Sequence, residues 1–128
     1  MSIENLFTVV PPQSVGSDTP SEQFDTLLDR PGFRLERIVS TGQATPAGEW
    51  LCQPHAEWVV LLAGSAAVRF DDELESRSLR PGDVLHIAPD RRHRVERTDA
   101  SAATVWLALH YDGVKHDAAI HDVEDSRP

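Results

Sequence analysis

Glu57-Trp-Val-Val-Leu-Leu-Ala-Gly64 limits what this chain can fold into more than any other stretch. In an extended strand Glu57, Val59, Leu61 and Ala63 point to one side, and Trp58, Val60 and Leu62 to the other. Both faces are apolar, whereas a sheet with one wet face shows a polar residue at every second position. The strand therefore needs cover on both sides, yet it is far shorter than the ~20 apolar residues of a membrane-spanning helix. A second stretch, Arg80-Pro-Gly-Asp-Val-Leu-His-Ile-Ala-Pro-Asp-Arg-Arg-His93, supplies a turn, a short apolar strand and a polar loop ending in an imidazole. Together they bring a carboxylate and a histidine to the edge of an all-β core.

The flanking segments fit the same architecture. Phe33 to Thr41, Glu49 to Gln53, Ala66 to Phe70, Leu74 to Leu79, Val84 to Ala88 and Thr104 to Tyr111 read as short strands between turn signals, a pattern of closed β folds. Leu6 to Val10 reads as an edge strand stopped by Pro11-Pro12. Thr19-Pro20-Ser21-Glu22 offers an N-cap, a first-turn proline and a capping glutamate. Phe24, Leu27 and Leu28 follow at helical spacing, and Arg30-Pro31-Gly32 provides a stop, so a short helix is expected there. The chain thus divides into an N-terminal strand and helix over 1–32, a barrel over 33–112, and an acidic, weakly patterned tail over 113–128.

Composition narrows the partners. The chain has 128 residues and a net charge of -9, enough for one domain with its own core. That charge opposes binding to phosphate backbones and to anionic lipid, which need clustered Lys and Arg. Nucleic acid and membrane are therefore not expected partners. A single cysteine, Cys52, forbids an internal disulfide, and the N-terminus lacks a secretory pattern; the cytoplasm is the expected compartment. Cys52 is expected to be buried and inert.

Residues Ile38 to Tyr111 resemble the small single-domain cupins, a superfamily of double-stranded β-helix (jelly-roll-type) barrels with two sequence motifs. In the first motif, Glu57, six residues and Gly64 match the family's closing glutamate and glycine. The two histidine positions before the glutamate fall on Leu51 and Gln53, or on Trp50 and Cys52 with the longer spacing. In the second motif Gly82 and His93 match, Pro89 lies one place late, and Asp90 and Arg97 stand where the family has glycine and asparagine. The outer apolar face must be covered either by the N-terminal segment or by a second subunit. The resemblance implies a barrel, favours the homodimer as that cover, and implies a site in the barrel mouth. It also implies a divalent iron, manganese, nickel or zinc ion held by imidazoles and a carboxylate, of which Glu57 and His93 remain and Gln53 can offer an amide oxygen.

Each candidate has a plainer reading. Glu57 and His93 can hydrogen-bond with each other or with Gln53, and Glu57 can pair with Arg37. Arg37 shares a face with Leu35 and Val39, so it either snorkels at the rim or holds an anion inside the cup. Trp50 is a core or interface residue by default, and near the mouth it can stack on a ligand. His55 can join the site only if the chain stays extended through Pro54. His86 and His110 read as satisfied strand residues, and Arg91 and Arg92 as loop charges. Three functions stay open: a cavity that binds a small molecule, a metal-dependent dioxygenase, isomerase or lyase, and a partner-binding module with a filled interior.

Overall fold

The computed structural model describes residues 5–9 and 21–112. Eight strands occur in it: β1 (Gln23–Arg30), β2 (Phe33–Ser40), β3 (Ala56–Ala63), β4 (Ala66–Phe70), β5 (Arg77–Leu79), β6 (Val84–Ile87), β7 (His93–Thr98) and β8 (Thr104–Tyr111). They form two antiparallel sheets, a five-stranded one in the order β1-β2-β8-β3-β6 and a three-stranded one in the order β5-β4-β7. The chain passes between the sheets from β3 onward. Side chains from both, including Val59, Leu61, Phe70, Leu85 and Trp106, meet in one core.

The doubly apolar run is β3, flanked by β8 and β6. Its alternation divides as expected: Val59 and Leu61 are buried, while Trp58, Val60 and Leu62 are half-buried on the outer face. Gly64, at φ 85°, turns the chain out of β3. A Cβ there would lie 2.5 Å from Thr104 Oγ1 and 2.7 Å from Thr104 Cα, so only glycine lets β8 approach. Pro81-Gly82-Asp83 docks against the same strand: Leu61 N–H donates to the Asp83 carbonyl and Gly82 N–H to that of Leu61.

The expected helix is absent. Residues 23–30 are β1, which pairs with β2 through a hairpin at Pro31-Gly32. Thr26 opposes Glu36 and Leu28 opposes Leu35, leaving Leu27 as an extra residue. That bulge breaks the two-residue alternation, and a strand with one extra residue spaces Phe24, Leu27 and Leu28 as a helix would. Leu6 and Phe7 form a turn rather than the expected edge strand, and Val10 lies outside the described residues, as does the 113–128 tail. Glu49 to Gln53 is not a regular strand either; it makes a single bridge, Leu51 to His93.

Candidate functional site: a cavity between the two sheets

The sheets enclose a cavity of about 370 Å³. Ile38, Val59, Leu85, Ile87, Val95 and Trp106 give it apolar walls. Its polar groups come from four places. β3 contributes Glu57 at its start, β7 contributes His93 as its first residue, and β2 and β8 contribute Glu36 and His110. Gln53 enters from the segment before β3, which is fixed to the His93 loop by three backbone bonds. Leu51 and His93 exchange N–H to carbonyl bonds of 2.7 and 3.0 Å, and Asp90 N–H donates to the Gln53 carbonyl at 2.7 Å.

Glu57 is 9% exposed, and its Oε1 accepts from Gln53 Nε2 at 2.6 Å. A carboxylate only accepts here, so the amide must turn its NH₂ to Glu57 and leave its own oxygen without a partner among the described residues. His93 is 4% exposed, and its Nδ1–H donates to the Arg91 carbonyl at 2.8 Å. In the neutral ring this makes Nε2 an acceptor, and no described group donates to it. His110 Nε2–H donates to Glu36 Oε1 at 2.7 Å, with Glu57 Oε2 4.0 Å from the same nitrogen. On its other side His110 Nδ1 lies 3.0 Å from His55 Nε2, so His55 is half-buried against His110 and does not line the cavity.

The structure thus brings Glu57, Gln53 and His93 to one cavity. Arg37 and Trp50 lie elsewhere. Arg37 is on the outer face of the large sheet: its guanidinium pairs with Asp25 at 2.7 Å and donates to the carbonyls of Leu6 and Thr8. Its neighbours Glu36 and Ile38 take the inward positions, so the alternation of β2 was correct and the inward face is the other one. Trp50 is half-buried under three guanidiniums, those of Arg69, Arg92 and Arg94, at 5.8, 5.8 and 5.9 Å from the ring centre. The cavity's indole is Trp106, whose Nε1–H donates to Ser40 Oγ at 3.1 Å. Cys52 is exposed rather than buried.

Glu36 was not among the candidates, and His110 was read as a satisfied strand residue rather than as part of the site. The signal was available in the alternation of β8, which puts His110 on the face of Trp106. What linked that face to Glu57 was the β3–β8 pairing, in which Glu57 sits opposite His110.

The donor set does not fit the family's metal site. Leu51 has no ligand atom, Gln53 offers only a neutral amide oxygen where the family has an imidazole, and among the described residues no group of three or more His, Cys, Asp or Glu is placed to hold an ion.

No protein-family model and no curated protein matches the chain. Solved structures do. A putative mannose-6-phosphate isomerase from Ralstonia eutropha JMP134 is 43% identical over 88% of this chain and 100% of its own, with a TM-score of 0.79. A cupin superfamily protein from Desulfitobacterium hafniense DCB-2 is 15% identical over 79% of this chain and 88% of its own, TM-score 0.61. A cupin family protein with a double-stranded β-helix fold from Methanocaldococcus jannaschii is 11% identical over 81% and 89%, TM-score 0.59. These last two share the fold alone. With two facing antiparallel sheets, the Glu57–Gly64 and Gly82–His93 motifs, and a relative 43% identical along its whole length, the chain belongs to the cupin superfamily.

Proposed function

We propose that this protein binds a small organic molecule in the cavity between its sheets. One observation carries the reading: the interior is open, about 370 Å³, with apolar walls and a few converging polar groups. That combination is the usual anatomy of a small-molecule site. A filled interior would instead have favoured a partner-binding module. The reading includes a homodimer, in which a second copy covers Trp58, Val60 and Val84 on the outer face of the large sheet. It also includes the cytoplasm, where an exposed lone thiol such as Cys52 stays reduced.

A metal-dependent isomerase, dioxygenase or lyase is the second reading. It is favoured by Glu57 and His93 standing at the family's ligand positions and by the name of the Ralstonia relative. Two buried donors are few for a transition ion, whose affinity follows ligand type and number. Elemental analysis of untagged protein, freed of chelator and reconstituted with each metal, separates the two. The proposed reading expects no stoichiometric iron, manganese, nickel or zinc. A stoichiometric ion that is lost in His93→Ala would replace it with the enzyme.

A further inference from the structure

We infer that the cavity selects an organic ammonium, a protonated amine on a compact apolar body, and rejects phosphorylated or carboxylated molecules. The inference rests on the pocket reading above and adds the class of ligand.

Charge is the first ground. Glu22, Glu36, Glu49 and Glu57 all border the cavity, and no Lys or Arg among the described residues does. Of the arginines beside lining residues in the sequence, Arg37 is turned to the outer face and held by Asp25, Arg92 is paired with Asp71, and Arg94 is held by Glu96 and the carbonyls of Thr45, Pro46 and Glu49. An anion in the cavity would therefore meet carboxylates with no guanidinium or ammonium among the described lining residues to offset them. Repulsion between like charges grows as the surroundings lose water.

Hydrogen-bond direction is the second, independent ground. Most of the groups left over after the internal bonds are made are acceptors. His93, 96% buried, keeps the Nε2 lone pair because Nδ1–H is given to Arg91. Gln53 keeps its amide oxygen and one N–H, its other N–H being given to Glu57, and Glu57 keeps Oε2. His110 Nε2–H is already given to Glu36, which leaves the second N–H of Gln53 as the donor not used among the described residues. A ligand must therefore bring mainly donors. Phosphate and carboxylate groups bring more acceptors, whereas an ammonium brings three donors and a positive charge. Val59, Ile87 and Trp106 supply a surface for the rest of the molecule that a bare metal ion would not use.

The test is an amide NMR titration of the full-length protein at neutral pH with benzylamine, benzyl alcohol and benzoate, which share a ring and differ in charge. Resonances of Glu57, His93 and Trp106 are expected to move, with benzylamine binding at least about tenfold more tightly than benzoate. In Glu57→Gln, which keeps the shape of the side chain, that preference should fall below about threefold. Benzoate binding as well as benzylamine would overturn the ligand class and leave the pocket standing. No cavity shift with any of the three would overturn both. Stoichiometric Zn²⁺ binding at the same residues would show that the acceptors serve an ion and would overturn the inference too. The ranking of the three probes on the unaltered protein decides the matter even if the variant does not fold.

Discussion

Asp90 holds a φ of 62°, the left-handed conformation that side chains other than glycine, asparagine and aspartate rarely take. It occupies the position where the family's second motif has glycine, and its N–H reaches the Gln53 carbonyl. The backbone turn is thus kept while the residue type changes. Asp90→Gly should preserve folding and the cavity, whereas Asp90→Val should cost about 1–2 kcal/mol in urea denaturation. Equal stability of the two variants would show that the turn is not under this constraint. Gln53 is held to a similar standard. Gln53→Ala leaves the buried Glu57 carboxylate without its donor and should destabilise the protein by about 1–3 kcal/mol. Glu57, Gln53 and His93 were legible from motif spacing, because that spacing reports which residues flank a barrel strand. Arg37 and Trp50 were misplaced because alternation separates two faces without saying which is inward. Only pairing with β8 decides that for β2, where Glu36 rather than Arg37 looks into the cavity.

Bulges explain the largest difference between the expected elements and the observed ones, the helix that proved to be β1. Leu27 in β1 mimics helical spacing, as described above. Glu96 in β7 does the converse: Arg97 opposes Ala67 and Val95 opposes Val68, so one extra residue enters the strand. Strict alternation would put Arg97 on the inner face with His93 and Val95; past the bulge Arg97 is exposed and Thr98 is buried. A single inserted residue flips every later side chain, and nothing local in the sequence marks it. Strands without bulges in their core pairing were read almost to the residue, Phe33–Ser40 and Thr104–Tyr111 among them. At the end of β3, Gly64→Ala should lower stability by about 2–4 kcal/mol, combining left-handed strain with a clash against the Thr104 backbone. For a domain of this size that is a fall in Tm of roughly 10 °C, visible by calorimetry. An unchanged Tm would mean that β8 can withdraw from the turn at little cost.

Considered whole, the molecule is a two-sheet sandwich with one polar-ended cavity inside and a broad apolar face outside. Residues 5–9 meet that face at Arg37, whose guanidinium donates to the carbonyls of Leu6 and Thr8. Trp58, Val60 and Leu107 stay half-buried beside it, and Val84 on the edge strand β6 is 49% exposed. Light scattering should therefore give the mass of a homodimer, and Val60→Glu should give a folded monomer. A wild-type monomer would show that the apolar face stands without a second copy. The cavity follows from the same architecture, since β3 and β8 must present one face inward before Glu57, Glu36 and His110 can meet.

A crystal structure of the full-length protein grown with benzylamine tests the central claim most directly. The account predicts an open interior with the ammonium in hydrogen-bond reach of Glu57 and the ring against Val59, Ile87 and Trp106. An interior closed by its own side chains, or an ion held jointly by Glu57 and His93, would contradict it.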